Sequence, residues 1–378
     1  MTSMSRVLVL VTDAFGGRGG IALYNRHFLR ALCNYPGIEE VIALPRSITY
    51  ELEPMPANLS YRIQSTGGKL NFLFQFAKLM LFDRRVDLVI CGHLHLFPIA
   101  WVLGLRSRCL VVPIIYGVEA WTPTSHFIAN QLCRRTKVLI TIRQLTANRF
   151  VQWASVTNAI QYYLPNCIDE GQYGLRPKRE DLVLRYSLQD KKVMMTIGRM
   201  DTIEYDNRKG FDEALEALPR IREHLPEINY LIVGDGDDRE RLRRKAELLG
   251  VEDIVKFVGY VSESDKPDYY RLADVFLMPG SNKIFDRYPY RFVFLEALVC
   301  GVPVIGCKLE DKFEADDPDA RELIIQVDPS NTEEIVRAVL LAVNRRYKIN
   351  YAVLSKYFFS TYQTKLHAVI DRIRTGCK

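Results

Sequence analysis

Short runs of Val, Ile and Leu alternate with amphipathic stretches along the first half of the chain. RVLVLVT is followed by IALYNRHFLRALCN, and VIALP, DLVICG, CLVVPIIYG, VLITIR and QYYLPN continue the strand-like runs. The stretches between several of these runs place apolar residues on one face of a helix. Continuous apolar strands separated by helices are typical of a parallel sheet that is covered on both faces.

The same alternation returns in the second half, after a polar and charged stretch at 171–190. KVMMTIGR, NYLIVGDG, IVKFVGY and DVFLMPG are strand-like, while FDEALEALPRIREH, DRERLRRKAELLG and NTEEIVRAVLLAVNRR are helix-like. We therefore predict an α/β protein with two doubly wound domains, at 1–170 and 191–350, joined by a linker at 171–190. Residues 351–378, with a long helix at 351–374, are expected to pack back toward the N-terminal domain.

Composition narrows the class of protein. The chain has 378 residues, of which 48% are hydrophobic and 25% charged, as in soluble globular proteins. No apolar run is long enough to span a membrane, and RVLVLVT is too short for a secretory signal. The eight cysteines are scattered, which indicates reduced thiols and a cytoplasmic location.

Charge is unevenly distributed. The net charge is +6, and residues 1–170 carry 17 Lys and Arg against 10 Asp and Glu. A basic first half favours an anionic substrate or an anionic membrane surface as a partner, and ordinary solvated charge is the alternative. The run NFLFQFAKLMLF suggests either a helix on a membrane surface or a buried crossover helix before a strand. No nucleic acid partner is expected.

A loop at the start of the second half carries two cations. In TIGRMDTIEYDNRKGFDEAL a strand ends at Ile197, Gly198 and Arg199 open a loop, and a helix follows Lys209. Open α/β sheets bind ligands at the carboxyl ends of their strands. Arg199 and Lys209 are therefore predicted to hold a diphosphate, with solvated surface cations as the alternative.

Two further patterns are weaker. Asp235 and Asp237 in LIVGDGDDRERL imitate a metal-binding acid pair, but acids at the start of DDRERL also cap the helix and complement its dipole, and we favour that reading. In DAFGGRGGIALYNR the spacing of Gly17, Gly19 and Ala22 fits a dinucleotide fingerprint, yet the first glycine comes too late after the strand. The amides of Gly19 and Gly20 at a helix start are instead expected to face a diphosphate.

Several strand-end motifs together resemble a known family. The series GR, KG, LIVGDG, GYV, ADVFLMPG and FVFLEALVCGVPVIG is similar to the C-terminal half of the family 4 glycosyltransferases, and LPNCID resembles a motif of their first half. The resemblance implies the GT-B fold, in which two Rossmann-like domains face a central cleft. It also implies that Gly198, Gly234 and Gly259 lie in a nucleotide-sugar site.

The family signature has two Glu residues separated by seven positions. Glu296 matches the second, which in these enzymes holds the ribose hydroxyls, and a structural salt bridge is the alternative role. The first falls on Tyr288, and Asp286 is the candidate to replace it in catalysis. The family's His-Gly pair is here Tyr116-Gly117, so the Tyr116 hydroxyl is expected to substitute for the His.

These implications define an expected activity. The chain should be a retaining hexosyltransferase that uses a UDP- or GDP-linked sugar as co-substrate, with no cofactor and no metal. The acceptor should be a lipid-linked glycan or a polysaccharide or lipopolysaccharide at the cytoplasmic membrane face. Arg199, Lys209 and the glycine amides would stabilise the charge that grows on the leaving phosphate. A catalytically silent nucleotide-sugar-binding protein and a sugar-nucleotide epimerase are the alternatives.

Overall fold

The computed structural model describes residues 4–83, 85–200, 209–280, 292–308, 323–344 and 348–376. The chain divides into two compact units. Met1–Cys167 and Phe359–Lys378 form the first unit, and Ile168–Phe358 form the second. Residues 171–190, which the sequence predicts as a linker, lie within the second unit.

Among the described residues, the first unit contains one sheet of seven parallel strands. Their order is β3-β2-β1-β4-β5-β6-β7. The strands are β1 (Arg6–Val11), β2 (Glu40–Pro45), β3 (Leu59–Tyr61), β4 (Leu88–Cys91), β5 (Leu110–Ile115), β6 (Val138–Thr141) and β7 (Ile160–Tyr163). The first six strands follow the Rossmann order, in which the sheet changes winding direction between β1 and β4.

The second unit, in its described part, repeats this design with six parallel strands in the order β10-β9-β8-β11-β12-β13. The strands are β8 (Lys192–Ile197), β9 (Ile228–Val233), β10 (Val255–Gly259), β11 (Val275–Met278), β12 (Val304–Cys307) and β13 (Ile324–Val327). The winding direction changes between β8 and β11. The prediction of two doubly wound parallel sheets is confirmed.

Helices connect the strands. In the first unit they are α1 (Gly20–Cys33), α2 (Lys69–Phe82), α3 (Phe97–Ser107), α4 (Phe127–Cys133) and α5 (Gln144–Ala154). In the second unit they are α6 (Glu180–Arg185), α7 (Phe211–His224), α8 (Arg239–Leu248), α9 (Lys266–Leu272), α10 (Phe292–Val299), α11 (Thr332–Val343) and α12 (Tyr351–Leu354). The last helix, α13 (Phe359–Gly376), belongs to the first unit.

Apolar residues on both faces of the central strands explain why the middle of each sheet is buried. In the second unit Met194 and Tyr230 pack with residues of α7, α8 and α11. Their chain neighbours Met195 and Leu231 point to the opposite face and pack with residues of α9 and α10. Because successive side chains of a strand alternate between faces, a strand that is covered on both sides must be apolar throughout.

Two elements differ from the sequence prediction. The three-residue strand β3 has no apolar run that would reveal it. The long helix predicted at 351–374 is instead two helices, because a 3₁₀ turn at Ser355–Tyr357 and the extended Phe358 interrupt it. The Ile168 amide donates to the Tyr357 carbonyl at 2.8 Å, so this interruption is tied to the second unit before α13 begins in the first.

Helix α13 packs against α1 within the first unit. The His367 ring lies 2.9 Å from the Ala31 carbonyl, and Tyr35 donates to Asp371 at 2.5 Å. Among the described helices, none is both long enough and apolar enough to cross a bilayer.

Candidate functional site

The two predicted diphosphate cations lie at the carboxyl end of β8. The Lys209 ammonium donates to the Arg199 carbonyl at 2.8 Å. A Cβ at Gly198 would come within 2.6 Å of Lys209 Cδ, so the lysine stem lies directly on this glycine. The structure therefore brings Gly198, Arg199 and Lys209 together, as the strand-end argument predicts.

Glycines allow the neighbouring strand ends to approach this loop. A Cβ at Gly234 would collide with the Gly198 carbonyl oxygen, and Gly234 has a φ of 129°. Its amide donates to the Gly259 carbonyl at 2.8 Å. Gly198, Gly234 and Gly259 thus bring the ends of β8, β9 and β10 together in one surface of half-buried backbone.

The switch point of the second sheet holds the other end of this loop. Gly210 has a φ of 74°, and a Cβ there would collide with the backbone nitrogen of Gly280, just after β11. The residue after Lys209 therefore packs against the end of β11, the neighbour of β8 at the switch point where sheets of this type bind their ligands. The sequence names Gly210 in the pair KG at the start of the helix, and the structure adds its close approach to Gly280.

The acid pair of LIVGDG has ordinary contacts. Asp235 accepts from the Gly236 amide at 3.0 Å and lies 3.5 Å from Arg239. Asp238, at the start of α8, pairs with Arg241 at 2.7 Å and does not cap the helix through its side chain. In the described part of the chain no group of three or more His, Cys, Asp or Glu could hold a metal ion.

Glu296 lies in the interior of α10 and is 0% exposed. Tyr270 donates to its carboxylate at 2.6 Å, and the Lys266 ammonium lies 3.5 Å away. Lys266 also pairs with Glu263 at 2.7 Å. A buried carboxylate requires such partners, and these are the contacts that the salt-bridge alternative expects. The ribose role of Glu296 stays a prediction.

Burial and the carboxylates together set the pKa values of Lys266 and Tyr270. Burial acts to lower the pKa of Lys266, but Glu296 and Glu263 outweigh it and raise the pKa. Burial raises the pKa of Tyr270 well above its usual value, and Glu296 raises it further. Both groups therefore stay protonated near neutral pH and keep donating to Glu296. The sequence analysis did not single out Lys266 or Tyr270 as partners of Glu296. The one signal in the sequence is that Lys266 stands alone at the start of a helix face that is otherwise apolar.

In the first unit the glycine-rich loop leads into α1. Gly19 precedes the helix with a φ of 93°, and both Gly19 and Gly20 are exposed. The buried Arg26 of α1 donates to the carbonyls of Ala14 and Gly17 at 3.0 and 2.8 Å. The helix thus fixes the loop that precedes it and leaves its own amino end, which favours anions, at the surface.

Tyr116 follows β5 and is buried. Its hydroxyl donates to the Asn25 side chain at 2.6 Å, and Asn25 in turn donates to the Asp13 carbonyl at 2.8 Å. The ring packs edge-on against Tyr24, with centroids 5.4 Å apart. Tyr116 therefore connects β5 to the glycine-rich loop through α1. Contact with a transferred sugar, which the family pattern implies, stays a prediction.

Three histidines that the sequence reasoning did not single out lie beyond β4. The rings of His93 and His95 are 4.7 Å apart, and those of His95 and His126 are 5.1 Å apart. Burial, with help from His95 and Arg46, lowers the pKa of His93 to about 4, so its ring is neutral at pH 7. The segment CGHLHLF after an apolar strand is the signal that could have revealed His93 and His95, whereas His126 lies in a separate segment, TPTSHFI.

Asp286 and Tyr288, the candidates at the first Glu position of the signature, lie outside the described residues. The structure therefore describes the second half of that signature, from α10 onward, and leaves the replacement of the first Glu as a prediction.

Comparison with known proteins places the chain among glycosyltransferases. A family model described as glycosyl transferases group 1 matches residues 191–345. The GDP-mannose-dependent alpha-(1-6)-phosphatidylinositol monomannoside mannosyltransferase of Mycobacterium tuberculosis H37Rv is 32% identical over 325 residues, which cover 80% of each chain. The protein of the same name from Mycolicibacterium smegmatis is 27% identical over 318 residues, or 79% of this chain and 80% of the relative.

Solved structures agree on the fold. Anabaena Alr3699/HepE in complex with UDP has a TM-score of 0.70 at 17% identity and covers 97% of this chain and 99% of its own. Sucrose-phosphate synthase from Thermosynechococcus elongatus has a TM-score of 0.67 at 16% identity, covering 98% of this chain and 100% of its own. With its two Rossmann-like sheets, the chain has the GT-B fold and belongs to the glycosyl transferases group 1 family.

Proposed function

We propose that the protein is a hexosyltransferase that moves mannose from GDP-mannose to a phosphatidylinositol-type or other lipid-linked acceptor. The observation that supports this most is the 32% identity, over 80% of both chains, to a mannosyltransferase whose name states that donor and that acceptor. We place the protein in family 4 and propose retention of the anomeric configuration, as the motifs imply.

The contacts at β8 support the donor half of this proposal. Negative charge grows on the β-phosphate as the sugar leaves, so the transition state needs preorganised cations and amides. Lys209 and Arg199 share one loop, and Lys209 is held by a hydrogen bond to the Arg199 carbonyl. We assign the diphosphate to this loop, and we propose that the departing phosphate accepts the acceptor's proton, with no protein nucleophile.

The surface of the first unit supports a lipid acceptor. Helices α2, α3 and α4 form what we call the helical layer, which contains no Asp or Glu. Large apolar side chains of this layer are exposed: Leu70, Leu73, Phe74, Leu81, Phe82, Val102, Leu105, Phe127 and Ile128. Apolar residues with basic ones at the same surface favour an anionic membrane, and we propose peripheral binding to the cytoplasmic face.

A donor and acceptor assay tests the proposal. Purified protein is incubated with radiolabelled GDP-mannose, or with UDP-glucose and UDP-galactose, in the presence and absence of phosphatidylinositol mannosides. We expect label from GDP-mannose to enter the lipid phase with equimolar release of GDP, and α-mannosidase to remove it. The Lys209→Ala variant is the matched control for transfer by a contaminant. Donor binding without transfer for every acceptor would favour the silent alternative.

A further inference from the structure

A second site lies at the opposite edge of the first sheet. A cavity of about 1120 Å³ is lined by the residues that begin four consecutive strands, Leu88, Leu110, Val138 and Ile160. The candidate donor elements of this unit, Gly19 and Tyr116, lie at the carboxyl ends of the strands instead. A strand of six residues separates the two edges by about 20 Å. Within the first unit, the cavity is therefore distinct from the candidate site residues Gly19 and Tyr116.

Most of the charged residues that line this cavity are cations, and there is one acid, Asp87. The cations are Arg108, Arg134, Arg135, Lys137 and Arg374. Asp87 is committed elsewhere, because its carboxylate accepts from the amides of Ser5 and Arg6 at 2.8 and 2.9 Å. Arg374 pairs with Asp371 at 3.2 Å. Within the described residues, the other four cations form no ion pair.

The local backbone does not account for this charge. Arg108 and Arg134 follow the carboxyl ends of α3 and α4, where a cation complements the helix dipole. Arg135 belongs to the same terminal turn of α4, since its amide donates to the Leu132 carbonyl at 2.9 Å, whereas Lys137 lies beyond that turn. Between them Thr136 is only 6% exposed, and its buried hydroxyl has no hydrogen-bond partner in the described structure. Arg108, Arg134, Arg135 and Lys137 are all exposed, so solvent screens their mutual repulsion. Together they give the cavity a positive potential that favours a multiply charged anion.

We propose that this cavity is an anion site that binds a phosphoryl group, separate from the nucleotide-sugar site. Adjacent arginine forks suit the several oxygens of a phosphate better than one carboxylate. The phosphate belongs either to a lipid headgroup or to a soluble phosphorylated metabolite. Exposed Leu105, one turn before Arg108 on α3, offers an apolar neighbour that a lipid would use and a soluble phosphate would not.

Binding rather than activity tests the site. Three full-length proteins are compared, and all carry Lys209→Ala so that the proposed diphosphate loop contributes little to the measured binding. The parent has no other change. The site variant adds Arg134→Gln/Arg135→Gln, and the control adds Arg243→Gln/Arg244→Gln. The control removes two consecutive arginines from α8, which belongs to the second unit. Titration with inorganic pyrophosphate and flotation with phosphatidylglycerol or phosphatidylcholine vesicles are the two arms.

We expect the site variant to lose at least tenfold in affinity in one arm or both, while the control matches the parent. Loss with pyrophosphate alone identifies a soluble ligand, and loss with phosphatidylglycerol alone identifies a headgroup. Equal affinities in all three proteins, or equal losses in the site and control variants, would overturn the proposal. Gln keeps the long side-chain stem and removes repulsion, so the variant should melt no lower than the parent. Lys137→Gln serves as a second variant if it does.

Discussion

At the scale of single residues, the contact between Lys209 and the backbone of Arg199 joins the two described ends of the loop between β8 and α7, the proposed donor loop. Lys209→Ala and Arg199→Ala should each cost about 2–4 kcal/mol of transition-state stabilisation, as for the loss of one preorganised donor. The measurement is kcat/KM with the donor that is identified, beside circular dichroism to show native folding. Lys191→Ala, an exposed cation just before β8, is the matched control and should keep wild-type activity. Near-normal activity in both site variants would refute the diphosphate assignment.

Glu296 allows its two possible roles to be separated. Glu296→Gln keeps the acceptor for Tyr270, and Lys266 keeps Glu263 as a partner at 2.7 Å, so the variant should melt near the wild-type temperature. If the carboxylate also holds ribose hydroxyls, charge-assisted bonds of about 1.5–3 kcal/mol each are weakened. We expect nucleoside diphosphate to bind at least about tenfold more weakly in calorimetric titration. A lower melting temperature with normal binding would show a purely structural role.

His27 links pH to stability. Burial, with Arg30 and Arg26, lowers its pKa to about 3, whereas the unfolded chain has an ordinary value near 6.5. As the pH falls, the unfolded state binds the proton on His27 at a higher pH than the folded state does. The stability that the neutral His27 contributes is therefore present above pH 6.5 and is lost as the pH falls toward 3. Between pH 6.5 and 5 the loss should be about 1–2 kcal/mol. Denaturant melts at both pH values should show a smaller difference for His27→Gln, and an unchanged difference would contradict this.

The sequence alone predicted that Arg199 and Lys209 lie close together in one loop and that Glu296 is a buried acid. It did not predict which side chains contact Glu296. The end of β8 and the following Gly198 and Arg199 are consecutive residues, so this part of the site can be recognised directly in the sequence. Lys266 and Tyr270 come from a different helix, 30 and 26 positions away, so their contacts depend on how α9 packs against α10. Tyr116 shows the same limit, since its partner Asn25 is 91 positions away.

At the scale of elements, apolar runs predicted the strands well because both faces of each sheet are covered. The failures have physical causes. The strand β3 is only three residues long and half-buried, and the last helix is broken by the hydrogen bond between Ile168 and Tyr357. For α2 the sequence favoured a buried crossover helix before a strand, and the prediction of burial is wrong for most of its apolar residues, because burial depends on tertiary packing. Its described buried residues are Phe72 and Leu79 alone.

The exposed face of α2 carries the membrane prediction. Phe74 and Leu81 are 68% and 73% exposed on this helix. Each apolar side chain buried in a bilayer contributes about 1.5–3 kcal/mol. Phe74→Gln/Leu81→Gln should therefore weaken binding to phosphatidylglycerol vesicles at least about tenfold in a flotation assay.

The control for α2 uses two exposed leucines of the second unit. Leu184 and Leu248 are 64% and 88% exposed, so Leu184→Gln/Leu248→Gln removes similar apolar surface away from the helical layer. This variant should bind vesicles as the wild type does. Equal losses in both variants would mean that binding follows overall hydrophobicity, and no loss in either would remove α2 from the membrane contact.

At the scale of the whole molecule, the two units differ in charge although their folds are alike. Residues 1–170 carry a net charge of +7 (17 − 10) and the rest of the chain carries −1, and the helical layer and most of the basic cavity lie in that first part. The second unit carries the strand-end glycines and the donor loop. This division fits a protein whose first unit handles an anionic lipid acceptor and whose second unit handles the donor, because each task requires a different surface.

The proposed role of Arg199 and Lys209 in the second unit leads to a prediction about metal dependence. Many enzymes neutralise a leaving diphosphate with a divalent ion, whereas here Arg199 and Lys209 are proposed to supply that charge as fixed side chains. Turnover should therefore continue at an undiminished rate in excess EDTA, measured as nucleotide release under initial-rate conditions. Asp235→Asn/Asp237→Asn should likewise leave the rate unchanged. If EDTA abolishes turnover, Mn²⁺ restores it and the Asn variant cannot be restored, the acid pair after β9 holds a catalytic metal and the cationic loop is not sufficient.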